Sequence, residues 1–582
     1  MQPRLANKLI LLAIFLFAAA LRMYNPDWDQ NFHLHPDERF LTLVGTAMKM
    51  PQSFEQYLDP KTSLLNPANI NYQFYVYGTF PVVLNKVLAI MLSADTYNDF
   101  TIVGRVLSAF FDLLTLLVLV KLMTLFKKQH QFPEAVVYFS AFFYAITVFA
   151  IQQSHFFTTD SFMSFFMLAS LYCMLLFYYT GKSRNVFLSS VFFALGLACK
   201  VTAAFISPLL MFFLILRTLP QVRAFIILAT KNIGKLSWEN KKIPTVSVSR
   251  NDLLRFITVF VLFSLICYLV LRLADPYYFK ERNLLNPQPN PTFVQSIRQL
   301  EVYSTPAVFY PPSVQWIHKM PVIFALYNLA FWGVGIVYFM FIVLGIYFVL
   351  KKHQQFELLV ILGWVLLFFF YQSTQFVKTM RYFIFLYPFF AFYAGIGFYY
   401  IANSIQSEKY RFMVQLVLII LLLIYPLSFM SIYVHPVTRV SATQWIYAHV
   451  PPNSFLLNEY WDDPLPLPLT SQVYPGAMLP VFDPDTPQKW QKMNELLQKG
   501  NYLILSSNRG WGSIPTVPER YPHMTRFYQG LFAGKLPYKK VAEFTSYPSL
   551  TYLGIPLTFP DDCAEEAFTV YDHPRVMIFK KY

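Results

Sequence analysis

The stretch His33-Leu34-His35-Pro36-Asp37-Glu38-Arg39-Phe40 follows the first apolar segment of the chain. It brings two adjacent carboxylates, two imidazoles and a guanidinium together where that segment ends. Charged groups are costly in hydrocarbon, so we expect this stretch to lie at the water boundary of a membrane. Two interpretations stay open at this point: a functional loop, or charges that only anchor the end of a membrane helix.

The composition of the chain predicts a membrane protein. Its 582 residues are 56% hydrophobic and 19% aromatic, and only 13% are charged. A soluble protein of this length would need more charge to cover its surface. Repeated apolar runs of roughly 17–25 residues therefore predict a polytopic α-helical membrane protein. The net charge of +15 does not indicate nucleic-acid binding, because the basic residues lie mainly between apolar runs, as the positive-inside rule expects.

The apolar runs predict about eleven membrane spans with the N-terminus in the cytoplasm. The expected spans cover residues 9–20, 102–125, 135–153, 161–180, 186–203, 204–219, 256–273, 328–350, 357–371, 382–403 and 412–432. The basic stretch 217–255 is the strongest orientation marker and is expected in the cytoplasm. Residues 74–94 are also apolar, but a span there would place every later basic loop outside, so we expect them in the interface.

The first apolar run, residues 9–20, also fits a signal peptide, because it ends in three alanines. A retained helix is favoured, since it would tether the charged loop behind it. The first outer loop, residues 24–101, then begins outside the cytoplasm with either interpretation. The protein is accordingly expected in the plasma (cell inner) membrane.

The composition changes after residue 433, which predicts a membrane domain over 1–433 and an extracytoplasmic α/β domain over 434–582. Expected helices are Ser441–Val450, Thr486–Lys499 with Asp485 as its N-cap, and Glu519–Gly534. Expected strands are Ser454–Tyr460, Asn501–Ser507, Lys540–Ser546 and Ala567–Lys580.

Polar residues from distant segments converge on the predicted outer face. The charged and imidazole side chains there are His35, Asp37, Glu38, His155, Asp160, Lys200, Arg272, Asp275, Lys378 and Arg381, and Tyr72 is among the surrounding aromatic residues. Carboxylates suit a general base, and Lys and Arg suit a phosphate leaving group.

Each of these side chains also has a structural interpretation. Asp160 opens a span and could simply complement the helix dipole. Lys200 could extend toward the interface, and Arg381 could anchor its span. Asp37 and Glu38 diverge by about 100° on a helix, so we expect one to face the site and the other a structural partner.

No cofactor is predicted with certainty. His35 and His155 could be ligands of a divalent metal, but their spacing matches no known metal motif, and the four cysteines form no metal or disulfide pattern.

The motifs of the chain resemble those of the GT-C glycosyltransferases. Matching pieces are His35-Pro36-Asp37-Glu38-Arg39-Phe40, Gly104-Arg105-Val106-Leu107-Ser108-Ala109, Asp160 after His155-Phe156-Phe157, Lys200, and Lys378-Thr379-Met380-Arg381-Tyr382. Within this superfamily the chain is most similar to the branch that uses polyprenyl-phosphate sugars. That branch includes the protein O-mannosyltransferases and the lipid A aminoarabinose transferase.

The resemblance implies sugar transfer from a lipid-linked phosphate donor to an extracytoplasmic hydroxyl, with inversion. Asp37 would be the general base, and Glu38 and Asp160 would complete the catalytic carboxylates. The donor phosphate would be bound by Arg381, Lys378, Lys200 and Arg272, in that order of preference, and the substrates would contact His35, His155 and Tyr72. The sugar stays open, and the acceptor could be a glycan, a lipid or a protein.

Two other classes of protein stay open. Charges near broken apolar segments also occur in multi-span transporters, although those usually place such residues at mid-membrane and show repeated halves. In a non-catalytic assembly or binding protein, the outer α/β domain would bind a partner and the membrane part would serve as an anchor.

Overall fold

The computed structural model describes residues 3–233, 247–307 and 310–582. Lys235, Lys241 and Lys242, part of the basic stretch used to orient the chain, lie outside the described residues. In the membrane part the helices are α1 Pro3–Met23, α2 Pro36–Ala47, α3 Phe54–Leu58, α4 Phe80–Met91, α5 Tyr97–His130, α6 Glu134–Ala145, α7 Val148–Ser154, α8 Asp160–Thr180, α9 Ser183–Cys199, α10 Ser207–Thr218, α11 Pro220–Ile233, α12 Arg250–Ala274, α13 Pro291–Tyr303, α14 Ile323–Asn328, α15 Ile336–Lys352, α16 Phe356–Thr374, α17 Tyr387–Asn403 and α18 Glu408–Val434.

Short turns of tighter or wider helix extend several of these elements. The 3-10 turns are Pro67–Ile70, Val201–Ile206, Pro276–Tyr278, Pro311–Trp316 and Met380–Leu386, and a π-turn covers Leu329–Gly333. Two of them matter for the site, because Val201–Ile206 runs into α10 and Met380–Leu386 runs into α17.

The fold class predicted from the sequence, a polytopic helical membrane protein with a C-terminal sheet domain, is confirmed. Seven helices in the described residues are long and apolar enough to cross a membrane, or nine if each of two bent pairs counts as one span. This range does not confirm the predicted count of about eleven. Helix α9, for example, has only 17 residues, or about 26 Å at the usual rise.

Two expected spans are bent. Residues 328–350 do not form one straight helix, because the chain turns by 117° between Ile323–Gly333 and Ile336–Lys352. Gly335 makes the turn with φ +87°, and a Cβ there would lie 2.8 Å from the Tyr425 ring. Residues 135–153 are bent by 54° between α6 and α7. Apolar composition alone cannot reveal such bends.

The expected interfacial segment forms the short helix α4. Its 12 residues span about 18 Å, too little to cross a hydrocarbon core of about 30 Å. Buried Asn85 donates to the Phe100 carbonyl, and Lys86 pairs with Asp95. The polar residues that interrupt the apolar run are therefore used to pack α4 against its neighbours.

The C-terminal part folds around a mixed five-stranded sheet within the described range 310–582. Its elements are α19 Thr438–His449, β1 Leu456–Glu459, β2 Gly476–Leu479, α20 Pro487–Lys499, β3 Tyr502–Leu505, α21 Arg509–Ser513, α22 Pro522–Phe532, β4 Tyr538–Phe544, α23 Glu566–Thr569 and β5 Val576–Lys581. The strand order is β2-β1-β3-β5-β4. Strand β1 is parallel to β2 and β3, and β5 is antiparallel to β3 and β4.

Three details differ from the sequence prediction. Strand β2 was not predicted, since it is short and lies in a Pro-rich stretch. The N-cap of α20 is Thr486, whose side chain accepts the Lys489 N–H, and Asp485 instead pairs with the Lys489 side chain. In the expected strand region 567–580, only the part from Val576 onward is a strand, because a short helix precedes it.

The sheet packs one face on the membrane part. Leu456, Ile504 and Ile578 belong to the core that continues through the membrane helices. Their chain neighbours Leu457, Leu503 and Met577 belong to a second core, which helices α20 and α22 also line. Successive strand residues point to opposite faces. The C-terminal part is therefore held on the membrane part by an apolar face.

Candidate active site

Asp37 lies in the first turn of helix α2. His35 is the N-cap, and its imidazole Nδ1 accepts the Glu38 N–H at 3.3 Å. Pro36 occupies the first helical position, where its missing N–H costs nothing. The sequence His-Pro-Asp-Glu thus starts a helix, with the side chain of Asp37 one-third exposed.

Asp37 joins a cluster of four charged side chains, Asp37, Arg381, Asp160 and Lys200. The Arg381 Nη1 donates to a carboxylate oxygen of Asp37, and its Nε donates to Asp160 at 2.7 Å. The Lys200 ammonium donates to the other oxygen of Asp160 at 2.8 Å. Two anions and two cations therefore alternate along one connected chain of ion pairs.

The members of this charge cluster come from four separate elements. Asp160 is the first residue of α8, and Lys200 lies in extended backbone between α9 and the turn Val201–Ile206. Arg381 lies at the start of the 3-10 helix Met380–Leu386, whose N-cap is Thr379. Each charged residue thus lies near a helix end, where the chain leaves the apolar layer and a polar group can reach a partner.

The charge cluster is largely shielded from solvent. The Asp160 side chain is 1% exposed and that of Lys200 13%. Burial alone would raise the pKa of Asp37, but the Arg381 guanidinium, with Lys200 behind it, lowers that pKa to about 2. Asp37 is therefore a carboxylate at neutral pH.

Tyrosine side chains surround the charge cluster. Tyr77, Tyr310, Tyr382 and Tyr571 all lie within electrostatic reach of Asp37. The Lys200 ammonium lies 5.4 Å from the centre of the Tyr382 ring. Burial, together with the charge of Asp37, raises the pKa of the Tyr77 phenol well above its ordinary value. These phenols stay neutral and can offer hydrogen bonds and flat faces to a sugar.

Glu38 lies apart from the charge cluster. Its carboxylate accepts two hydrogen bonds from Arg105, at 2.5 and 2.9 Å, and one from the Phe157 N–H at 2.7 Å. Arg105 also binds Asp29. Asp37 and Glu38 point in different directions from the helix. Asp37 therefore joins the charge cluster, and Glu38 joins a buried ion network with Arg105 and Asp29.

The two histidines among the expected substrate contacts are packed into the protein. The His35 ring lies between the rings of Phe156 and Tyr571, at 4.6 and 4.2 Å. Burial lowers its pKa to about 3, so the imidazole is neutral. His155 stacks on Tyr433 at 3.7 Å, and its two ring nitrogens face the carbonyls of Ile151 and Tyr24.

Three other expected site residues contact different partners. The Lys378 ammonium donates to the Phe376 carbonyl at 3.0 Å. Lys378 lies before the 3-10 helix that begins at Met380, so it does not share a helical face with Arg381. Buried Arg272 donates to the carbonyls of Glu281 and Asn283, both at 2.8 Å. Tyr72 packs edge-on against Phe40 and lines a small cavity that also contacts Tyr77.

The site includes side chains that sequence reasoning missed. Tyr571 packs on His35, and Glu565 binds the start of the helix that carries Arg381. Asp572 accepts hydrogen bonds from Gln152 and Tyr433. The sequence feature that could have indicated them is the high density of acidic residues among apolar ones between Asp561 and His573.

No group of three or more His, Cys, Asp or Glu side chains that could hold a metal ion occurs in the part of the chain that the structure describes. The two carboxylates of the charge cluster are bridged by a guanidinium. This donor set favours cationic side chains, rather than a divalent ion, as the partners of Asp37 and Asp160.

Comparison with known families supports the resemblance of part of the chain to a glycosyltransferase family. A family model described as dolichyl-phosphate-mannose-protein mannosyltransferase matches residues 88–230, a segment that contains Arg105, Asp160 and Lys200. The chain is similar to the GT-C glycosyltransferases. The resemblance that the motifs indicated is thereby confirmed, and it supports a glycosyltransferase that is an integral membrane protein. No curated protein matches the chain.

Solved structures of two GT-C enzymes are similar to the chain over most of its length. The archaeal oligosaccharyltransferase AglB from Archaeoglobus fulgidus, solved with an inhibitory peptide and a dolichol-phosphate, is 12% identical with a TM-score of 0.45; the match covers 99% of this chain and 88% of that one. ArnT from Cupriavidus metallidurans, bound to undecaprenyl phosphate, is 10% identical with a TM-score of 0.43, covering 98% and 97%.

Proposed function

We propose that this protein transfers a sugar from a polyprenyl-phosphate donor to an acceptor hydroxyl outside the cytoplasm, with Asp37 as the general base. The observation that carries the proposal is the guanidinium of Arg381 between Asp37 and Asp160. This arrangement places Asp37, a carboxylate that can take a proton, next to Arg381 and Lys200, which can bind a phosphate. The matched family is named for a dolichyl-phosphate-linked sugar, which favours a lipid phosphate as the leaving group.

The reaction is a single displacement. The acceptor oxygen attacks the anomeric carbon while Asp37 takes the proton of the acceptor hydroxyl. The bond between the anomeric carbon and the phosphate oxygen breaks, and its electron pair leaves on the lipid phosphate. Attack from the face opposite the leaving group inverts the anomeric centre. Arg381 and Lys200 neutralise the charge that develops on the phosphate.

Arg381 couples donor binding to the basicity of Asp37. Without donor, Arg381 lowers the pKa of Asp37 to about 2, which makes the carboxylate a weak base. The donor phosphate, a phosphodiester with one negative charge, would compete for the same guanidinium, since Arg matches its two free oxygens. The pKa of Asp37 would then rise, so the base would be strongest when a donor is bound.

The orientation of the chain is part of the proposal. Helix α5 ends with Lys127 and Lys128, and α15 ends with Lys351 and Lys352, which favours those ends in the cytoplasm. The charge cluster lies at the opposite ends of the neighbouring helices. The active site and a domain over 434–582 would then face the outside of the plasma membrane, and a membrane domain over 1–433 would have its N-terminus inside.

The test is release of polyprenyl phosphate from a sugar-charged polyprenyl phosphate by the purified full-length protein. We expect the wild-type protein to release it and Asp37→Asn to lose turnover by about 10²–10⁴-fold, because the amide cannot accept the proton. Undecaprenyl phosphate alone should bind this variant at least as tightly as wild type, because the carboxylate that competes for Arg381 is gone. Equal turnover in Asp37→Asn and wild type would contradict the assignment of the base.

A further inference from the structure

The chain segment 561–573 reaches from the C-terminal sheet domain into the membrane part. It contacts the two elements that carry Asp37 and Arg381 of the charge cluster. Tyr571 packs on His35, the N-cap of the helix with Asp37. Glu565 contacts the start of the helix with Arg381. In the same segment, the Phe568 carbonyl and Asp572 accept hydrogen bonds from Gln152.

Glu565 is buried, with 2% of its surface exposed. Its two carboxylate oxygens accept the Met380 N–H at 3.0 and 3.1 Å. The Thr379 hydroxyl donates to the same carboxylate at 2.8 Å. On the other side, the Glu565 N–H donates to the Asn328 side chain at 2.8 Å. Glu565 thus joins α14 to the turn that begins at Met380.

Glu565 is linked to Arg381 through the side chain of Thr379. The Thr379 hydroxyl gives its proton to Glu565, and its oxygen accepts the Arg381 N–H at 3.4 Å. The carboxylate therefore orients the N-cap hydroxyl of the Arg381 helix. Burial raises the pKa of Glu565 to about 8, while the hydrogen bonds from Thr379 and Met380 favour its charged form.

We propose that Glu565 is a positioning residue, which holds the backbone at Thr379 and Met380 so that the Arg381 guanidinium is set to receive the donor phosphate. This inference rests on the proposed function, because it takes Arg381 as the phosphate ligand. It gives the C-terminal sheet domain a role in the reaction: the domain supplies the carboxylate that completes the donor site in the membrane part.

A purely structural role for Glu565 makes a different prediction. Loss of a buried carboxylate contact would then lower stability without changing phosphate affinity in the folded molecules. Glu565→Gln separates the two roles, since its amide group would face an N–H donor of Met380 in place of an acceptor oxygen. Thr379→Val removes the hydroxyl that links Glu565 to Arg381 and keeps the shape, and Thr379→Ser restores the hydroxyl.

Glu459 offers a matched control in the second core. It is also a buried glutamate, 3% exposed, and accepts a hydrogen bond from the Tyr528 hydroxyl. It lies in β1, away from Arg381. Glu459→Gln should therefore lower thermal stability in the way that Glu565→Gln does, and leave phosphate binding unchanged.

The experiment measures the Kd of purified full-length protein for undecaprenyl phosphate, together with the melting temperature of each variant. We expect Glu565→Gln and Thr379→Val to weaken binding by up to about tenfold, the size of one ordinary hydrogen bond, because Arg381 would be less well placed. Thr379→Ser and Glu459→Gln should bind within twofold of wild type. The same two losses should appear as a higher donor KM.

Wild-type affinity in both Glu565→Gln and Thr379→Val would overturn the inference, as would equal weakening in Glu459→Gln. Arg381→Ala serves as the reference for the proposed function. If Arg381→Ala weakens binding and Glu565→Gln does not, the positioning role alone is wrong. If Arg381→Ala binds like wild type, the phosphate role of Arg381 is wrong.

Discussion

At the scale of single residues, Arg381 is the side chain on which the proposed chemistry depends. It contacts Asp37 through Nη1 and Asp160 through Nε, so it uses the planar fork and not only the charge. A lysine at this position could reach one of these carboxylates at a time. Geometry as well as charge is therefore needed at this position.

We expect Arg381→Lys to lower kcat/KM for the lipid-linked donor by about 10- to 100-fold, because bidentate binding is lost while the charge remains. The melting temperature should change little. Arg381→Ala should be more severe. The control is Lys378→Ala, since the Lys378 ammonium contacts the Phe376 carbonyl. Equal losses in Arg381→Lys and Lys378→Ala would contradict the ranking of these two cations.

The buried ion network around Arg105 contributes to the stability of the fold. Arg105 lies between Glu38 and Asp29, and all three side chains are within 1% of full burial. Arg105→Ala would leave two carboxylates buried without their cation, a change that costs about 3–5 kcal/mol in comparable cases. Differential scanning fluorimetry should show a large loss of melting temperature.

Arg39→Ala is the matched control for Arg105. Arg39 is the neighbour of Glu38 in the sequence, and its ion pair with Asp463 is partly exposed. Such pairs contribute about 0–1 kcal/mol. A melting temperature for Arg105→Ala as high as that for Arg39→Ala would contradict a structural role for the buried network.

At the scale of elements, the 561–573 segment is held by a buried ion triplet. His573 lies between Asp572 and Asp561, at 2.5 and 2.9 Å. Burial alone would lower the pKa of His573, but the two carboxylates outweigh it and raise the pKa to about 10. Asp572 also accepts from Tyr433 of α18, so this triplet joins the segment to the membrane part.

Stability should therefore depend on pH through His573. The pKa is about 6.5 in the unfolded chain and about 10 in the folded one, so the folded state binds the proton more tightly. The contribution is complete below about pH 6.5 and is lost as the pH rises toward 10, with a slope of at most about 1.4 kcal/mol per pH unit.

Melting curves between pH 6 and 9 would test this dependence. The melting temperature of the wild-type protein should fall over that range. His573→Gln should melt lower at pH 6 and show a flatter pH dependence, because the group that loses its proton is gone. A wild-type slope that persists unchanged in His573→Gln would assign the effect to another group.

At the scale of the whole molecule, the proposed orientation can be tested with the natural cysteines. Cys563 is free and exposed in the C-terminal part, and Cys173 and Cys199 are buried. A membrane-impermeant maleimide should label Cys563 in intact cells, since that part is proposed to lie outside. The variant Cys563→Ser should lose the label.

A second site controls for the inner side. Lys352 is exposed at the end of α15, where the positive-inside rule expects cytoplasm. In a Cys563→Ser background, Lys352→Cys should be labelled only after the cells are permeabilised. Labelling of Lys352→Cys in intact cells would reverse the orientation and move the active site to the cytoplasmic face.

The sequence alone determined the membrane class, the GT-C resemblance and the identity of the charged residues. Long apolar runs predict helices, because only a helix satisfies its own backbone in lipid. The helical angle between neighbours also predicted that Asp37 and Glu38 would have different partners. Asp37, Asp160, Lys200 and Arg381 were all expected at the site, because the order of the apolar runs places each of them on the outer face.

Only the tertiary structure decided which of these residues meet. Asp37 and Arg381 are 344 positions apart, and Arg381 and Asp160 are 221 apart; local periodicity predicts the face of a helix and not a contact across such distances. Lys378, Arg272 and His155 occur in similar sequence positions, yet their side chains are hydrogen-bonded to backbone carbonyls. Glu565 was missed for the same reason, because an acidic residue in a polar domain resembles a surface charge until packing buries it against the start of another helix.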